Sequence, residues 1–391
     1  MLKILTFSTL FPNAAQPSHG VFVENRLRHL IDGGKVEAHV VAPVPWFPFG
    51  AKMFGAYADF AKAPKIEQRH GLTIHHPRYP LIPKVGMNLT PGFMYRFVKP
   101  YIERLMRDGL EFDLIDAHYF YPDGVAAVRM AQDFGKPVTV TARGTDLNLI
   151  PQYPAPRQKI VWAANQASGI ITVCQALKDE LIKLDVAADK VRVLRNGVDL
   201  EMFQPIDRDK ARAELGLTGR TLLSVGHLIE RKGHDLVVSA LRHLPDTSLV
   251  IAGDGPEREA LEALAVSDGV SDRVNFLGRV DHAALRDIYG AVDALVLASS
   301  REGWANVLLE AMACGTPVVA SNVWGTPELV ATPEAGVLMA DRTPRDLADA
   351  VETLFAVLPD RADTRRYAER FSWDDTTRGQ EELFATLTAQ S

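Results

Sequence analysis

Asp293-Ala-Leu-Val-Leu297 runs into Ala-Ser-Ser300-Arg-Glu302-Gly-Trp304-Ala-Asn306-Val-Leu-Leu-Glu310-Ala-Met-Ala-Cys-Gly315-Thr-Pro317-Val-Val-Ala320. The apolar run Asp293–Leu297 reads as a buried strand that ends in a polar turn, where Gly303 permits close backbone approach. A helix is expected over roughly Ala305–Cys314, stopped by Gly315 and Pro317. Pro317–Ala320 is the next strand. Glu302 therefore precedes a helix N-terminus, and Glu310 lies more than one turn inside the helix. The free N–H groups of a helix start form an anion site. Carboxylates on either side are good acceptors for sugar hydroxyls. The pattern suits a diphosphate flanked by hydroxyl-bearing sugars.

The same alternation extends in both directions. Lys3–Ser8, Ala38–Ala42, Leu114–Ala117, Val138–Thr141 and Gly169–Val173 are strand-like runs, followed by a second set at Leu222–Val225 and Ser248–Ala252. Between them lie helical patterns: Val21–Ile31, Lys178–Leu184, Asp235–Leu244, Glu257–Ala265 and Ala283–Tyr289. Continuous apolar runs of this length are buried on both faces, so the sheets are parallel and helix-covered. The predicted class is α/β: two Rossmann-like, doubly wound parallel-sheet domains. The turn chemistry of Asn196-Gly and the break at Pro205 place the boundary near residue 200. Residues 1–200 form the first domain and 201–372 the second. Ligands of such sheets bind outside the carboxyl ends of the strands, so a central cleft between facing domains is expected.

A length of 391 residues fits two or three domains. Cys174 and Cys314 make neither a disulfide framework nor a zinc pattern and read as buried thiols. The net charge of −6 is uneven: residues 1–200 carry 24 Lys+Arg against 18 Asp+Glu, leaving 43 − 24 = 19 against 49 − 18 = 31 for the rest. The basic half either meets an anionic partner or reflects chance imbalance between two domains. No run approaches the roughly 20 apolar residues of a membrane span. Met1–Phe11 is read as a first strand, its apolar stretch being too short for a leader and lacking a cleavage pattern.

Pro43–Met94 fits the alternation poorly. It is rich in Pro, Gly and aromatics (Trp46, Phe47, Phe49, Phe54, Tyr57, Phe60) and leads into Phe93-Met-Tyr-Arg-Phe-Val-Lys-Pro-Tyr101. Two readings stand: a loop folded on its own side chains with a helix packed on the sheet, or a basic-aromatic face for an acceptor or an anionic membrane.

Further polar clusters end strands. In Ser224-Val-Gly226-His-Leu-Ile-Glu230-Arg231-Lys232-Gly233-His234, two adjacent cations open a helix, against the preference of its dipole. That conflict points to an anion nearby, and the pair could stabilise charge on a departing diphosphate. Ile251-Ala-Gly253-Asp254-Gly255-Pro256 and Asn275-Phe-Leu277-Gly278-Arg-Val280 are turns without the dinucleotide pattern. In the first half, Asp116-Ala-His118-Tyr-Phe-Tyr121, Thr141-Ala-Arg143-Gly144-Thr-Asp146 and Pro17-Ser-His19-Gly20 hold the candidates. No Asp-x-Asp metal motif occurs, Asp374-Asp375 having different spacing.

Taken together, Glu302-x₇-Glu310 followed by Ala-Met-Ala-x-Gly-x-Pro-Val-Val-Ala resembles the signature of retaining GT-B glycosyltransferases of family 4, and the likeness spans essentially the whole chain. The resemblance implies a retaining hexosyltransferase in which Glu302 meets the donor sugar and Glu310 the ribose. Arg231 and Lys232 hold the diphosphate, and His118 sits near the reacting carbon. His118, Glu302, Arg231 and Lys232 are thus the expected catalytic residues. Gly20, Arg143, Gly226, Gly253, Asp254, Gly255, Leu277, Gly278, Gly303, Trp304, Ala305, Asn306 and Glu310 are the expected donor-binding set. Three departures stand out: Trp304 replaces the usual Phe, Arg143 stands where the family has His, and only Gly20 remains of a glycine pair. An Arg binds a phosphate or acidic sugar bidentately but is no proton acceptor. Phe371-Ser-Trp373 resembles the family segment after which the last helix returns to the first domain, so residues 373–391 are assigned there.

The resulting expectation is a cytoplasmic enzyme at the inner membrane face, of cell-envelope or exopolysaccharide type. It would take a UDP- or GDP-type sugar donor and a glycan or lipid-linked acceptor, and would need no metal or cofactor. Nucleic acid is excluded by the acidic second half and the lack of any RNP pattern. A nucleotide-sugar 2-epimerase of the same fold and a non-catalytic GT-B binding subunit are the rival readings.

Overall fold

The structure is a computed structural model, and it describes residues 1–46, 60–82 and 86–390. Phe47, Phe49, Phe54 and Tyr57 of the aromatic stretch lie outside the described residues. The chain divides into two compact units, Met1–Arg195 with Asp374–Ser391, and Asn196–Trp373. The division thus falls between 195 and 196 rather than at 200, and Trp373 stays with the second unit.

Among the described residues the first unit holds β1 (Leu2–Phe7), β2 (Val36–Val41), β3 (Val44–Trp46), β4 (Ile66–Arg69), β5 (Leu72–His75), β6 (Arg78–Pro80), β7 (Leu114–His118), β8 (Val138–Ala142), β9 (Gly169–Thr172) and β10 (Val191–Val193). Eight of them form one sheet in the order β10-β9-β8-β7-β1-β2-β5-β4, and β3 pairs with β6. All neighbours in the large sheet are parallel except β4 and β5. The central strands β7, β8 and β9 are buried at every position, as runs covered on both faces must be.

The second unit holds β11 (Arg220–Val225), β12 (Thr247–Ala252), β13 (Val274–Gly278), β14 (Ala294–Leu297), β15 (Val318–Ser321) and β16 (Gly336–Met339). Their order is β13-β12-β11-β14-β15-β16, all parallel. Both units are Rossmann-like α/β sheets.

The C-terminal helix Asp374–Ala389 contributes to the first unit's core: Leu383 and Phe384 pack with Val23, Leu27, Leu30 and Ile171. Burying such a side chain is worth about 2–3 kcal/mol. The fully buried Arg26 ties the same elements together, donating from Nε to Gln380 Oε1 at 2.8 Å and from Nη1 to the Leu194 carbonyl at 3.0 Å. Its guanidinium is pushed down to about 10 by burial.

The stretch that ended Pro43–Met94 becomes the helix Thr90–Arg107, with Pro91 in its first turn, where a missing N–H costs nothing. Met94, Val98 and Ile102, one turn apart, are fully buried. On the opposite side Leu89 and Phe97 stand exposed. At 100° per residue, Leu89, Phe93, Arg96, Phe97, Pro100, Arg104 and Arg107 share an arc of about 100°. The helix's one carboxylate, Glu103, is held by Lys99 at 3.1 Å.

Candidate functional site

In the second unit the chain starts in mid-sheet. It proceeds outward through β11, β12 and β13, then returns to the other side of β11 as β14. Such a reversal opens a crevice at the carboxyl ends of the two strands that flank it. The loop after β11 carries Arg231 and Lys232, and the loop after β14 carries Glu302. The topology itself delivers these residues to one place.

There the Lys232 ammonium donates to Glu302 Oε1 at 2.7 Å, and Ser299 Oγ donates to the same oxygen at 2.7 Å. Arg231 Nη1 lies 3.5 Å from that oxygen and donates to the Arg301 carbonyl at 2.7 Å. Glu302 is 8% exposed. Burial raises its pKa, but Lys232 and Arg231 outweigh burial and hold the carboxyl below its ordinary value. Ser299 was not among the residues singled out from the sequence, and its place three positions before Glu302 in the same loop was the available signal.

The remaining loops of this edge are stitched together by backbone. Gly226 N–H donates to the Ala252 carbonyl at 3.0 Å, Leu228 N–H to Asp254 at 2.9 Å, and Gly253 N–H to Gly278 at 2.8 Å. Gly253 has φ 156°, and a Cβ there would lie 1.8 Å from the Gly226 carbonyl oxygen, so only glycine lets these turns meet. The carboxylate of Asp254 accepts the N–H of Gly255 at 2.8 Å. Leu277 and Gly278 close β13 and are half-buried.

The helix beginning at Asn306 spans Asn306–Ala313, and Ala305 gives it no side-chain cap. Glu310 lies on it, where Oε1 accepts from His282 Nε2 and Oε2 from the Tyr289 hydroxyl, both at 2.9 Å. The bond to Glu310 raises the His282 pKa, against the effect of burial. Neither partner had been picked from the sequence. Cys314, at the helix end, is pushed up to about 12 by burial, an inert thiol. Gly303 is buried. The Trp304 indole is 7% exposed, donates to the Asn196 carbonyl at 3.0 Å and packs 6.1 Å from the Phe371 ring. That side chain holds the fold together. Asn306 accepts from Asn196 Nδ2 at 3.3 Å.

The first unit repeats the logic, with its reversal between β1 and β7. The loop after β1 leads to Gly20, whose φ of 71° and lack of Cβ let the chain pass the Leu10 backbone. His19 Nε2 lies 3.1 Å from the Thr9 carbonyl. At the end of β7, Asp116 and His118 point the same way, two residues apart. His118 Nε2 is 3.1 Å from Asp116 Oδ2, and Arg143 Nη2 is 2.6 Å from His118 Nδ1. Both partners of the imidazole are buried, Asp116 at 1% exposure and Arg143 at 9%. Burial and Arg143 drive the His118 pKa down to about 4, against the pull of Asp116. Asp146 accepts N–H bonds from Phe120, Arg143 and Gly144. Buried Asp123, held at about 8 by burial, accepts from Thr9 N–H and Oγ1.

Among the described residues no group of three or more His, Cys, Asp or Glu side chains is placed to hold a metal.

Residues 20–202 match the model of Glycosyltransferase Family 4, and residues 206–371 that of Glycosyl transferases group 1. A D-inositol 3-phosphate glycosyltransferase of Saccharomonospora viridis is 31% identical over 351 residues, covering 80% of this chain and 79% of that protein. The chain is a family 4 glycosyltransferase. TuaC of Bacillus subtilis, a glycosyltransferase assigned to teichuronic acid biosynthesis, is 28% identical over 90% of this chain and 88% of its own length. Among solved structures, sucrose-phosphate synthase of Thermosynechococcus elongatus superposes with a TM-score of 0.82 at 22% identity, covering both chains in full. Anabaena HepE in complex with UDP-glucose gives 0.75 at 21% identity, over 99% of this chain and 100% of its own. These likenesses establish the GT-B fold of this family 4 glycosyltransferase.

Proposed function

We propose that this family 4 glycosyltransferase is a retaining, metal-independent hexosyltransferase. It takes a nucleotide-diphosphate sugar of the UDP or GDP type and glycosylates a glycan or lipid-linked acceptor of the cell envelope. The observation that carries the reading is the meeting of Lys232, Arg231 and Glu302 at the strand reversal of the second unit. As the donor bond breaks, negative charge grows on the leaving diphosphate, and two fixed cations beside a helix start supply the stabilisation a metal supplies elsewhere. Glu302 orients the sugar, and attack by the acceptor on the face from which the diphosphate leaves keeps the configuration. Glu310 takes the ribose hydroxyls, and the turns at Gly226, Gly253–Gly255 and Leu277–Gly278 take the nucleoside.

The UDP-glucose complex of HepE supports the donor class, and the teichuronic acid role assigned to TuaC supports the acceptor class. The outward face of Thr90–Arg107, apolar and basic with one neutralised carboxylate, supports work at an anionic cytoplasmic membrane face. No helix among the described residues is long and apolar enough to cross a membrane.

The test is product stereochemistry. UDP- and GDP-hexoses are incubated with lipid-linked and glycan acceptors in EDTA, and the new linkage is read by proton NMR. Transfer that keeps the donor's anomeric configuration is expected. An inverted linkage, or activity that returns only with a divalent cation, overturns the reading.

A further inference from the structure

Arg143, which stands where the family has His, lies beside His118. A guanidinium offers only donors and is not deprotonated in proteins. Its Nη2 lies 2.6 Å from His118 Nδ1, so that nitrogen must present a lone pair. The other ring nitrogen, Nε2, faces Asp116 Oδ2 at 3.1 Å, while the Thr139 hydroxyl donates to Asp116 Oδ1 at 3.0 Å. Asp116 is an acceptor to both, so Nε2 carries the proton.

Charge balance gives the same answer. The charged groups that act on this imidazole are Asp116 from β7, Arg143 after β8 and Arg26 from the helix Val21–Asp32. Two cations against one carboxylate already leave these surroundings positive, which disfavours a charged ring. An imidazolium would place an unpaired positive charge among groups that are all nearly fully buried.

We infer that Arg143 locks His118 as the neutral, Nε2-protonated imidazole, making Arg143 a positioning residue and removing His118 from proton transfer. Deprotonation of the acceptor then falls to a group other than His118. The last consequence rests on the transferase reading. The tautomer does not.

The experiment is long-range ¹H–¹⁵N correlation of the imidazoles in ¹⁵N-histidine-labelled protein, with His118 assigned by the signal missing in His118→Gln. One protonated and one bare nitrogen, at Nε2 and Nδ1 respectively and unchanged from pH 8 to pH 5.5, is the expected result. A doubly protonated ring or an Nδ1–H tautomer at pH 7 overturns the inference, with or without measurable transfer. In Arg143→Met the His118 titration should move up by about one unit or more. The pH profile of transfer should gain a limb that Arg143→Lys lacks. A folded Arg143→Met protein whose His118 titration is unmoved also overturns it. If that variant does not fold, the wild-type spectrum decides alone.

Discussion

Lys232 Nζ and Glu302 Oε1 stand 2.7 Å apart, joining the loop after β11 to the loop after β14 across the point where the strand order reverses. The pair is mostly buried, and Ser299 completes it. Removing Glu302 leaves Lys232 buried without its carboxylate, at a cost of about 3–5 kcal/mol; removing Lys232 leaves Glu302 with Arg231 at 3.5 Å and costs less.

Lys232→Met should therefore lower both stability and turnover, with kcat falling about 100- to 1000-fold as for loss of a fixed donor to developing charge. The double variant Lys232→Met/Glu302→Gln should regain most of the stability but none of the turnover. Urea denaturation beside steady-state rates separates the two effects. A double variant as active as wild type contradicts the assignment.

Glu310 is held by His282 and Tyr289. Glu310→Gln keeps the shape and loses the charge, so donor affinity should drop about 10- to 100-fold in a calorimetric titration. Tyr289→Phe frees one carboxylate oxygen in a buried site and should lower the melting temperature more than it lowers affinity.

Gly253→Ala places a Cβ 1.8 Å from the Gly226 carbonyl oxygen, while Gly216→Ala meets nothing within 4 Å. The second has φ 64° and should cost only the left-handed penalty, about 1 kcal/mol. The first should cost more than about 2 kcal/mol and displace the nucleoside turns. Equal melting temperatures would show that the turns are not in contact.

Acid should destabilise both units through histidines kept neutral by burial. His118 and His234 each fall from 6.5 to about 4 in the folded chain. Between those values the unfolded chain binds more protons, so the contribution is whole above pH 6.5 and lost as pH falls towards 4. Each should account for roughly 2 kcal/mol at pH 5. Denaturation at pH 7 and pH 5 checks this, with His118→Gln and His234→Gln each flattening the dependence.

The architecture could be read from apolar runs because β7, β8, β9 and β14 are buried at every position. The short edge strands β6 and β10 are interrupted by Arg78 and Arg192, since an edge strand packs on fewer neighbours. The helix Thr90–Arg107 was legible as one of two readings of its stretch, for Pro91 is harmless in the first turn and Pro100 lies on the exposed face. Arg231 and Lys232 were visible as charges set against local preference, and Glu302 by its place before a helix start. His282 and Tyr289 were not, because each acts through Glu310, which lies 28 and 21 positions away in sequence. Trp304 was legible only as a neighbour of Glu302. Its bond to the Asn196 carbonyl depends on a contact 108 positions away in sequence.

The central claim is that the second unit binds a nucleotide-diphosphate sugar through Lys232, Arg231 and Glu310 without a metal. Calorimetric titration with UDP-, GDP-, ADP- and dTDP-sugars, with and without EDTA, tests it most directly. Selective binding of one carrier that survives EDTA and is lost in Lys232→Met is the expected result. Binding of none of the four, or binding that EDTA abolishes, would contradict it.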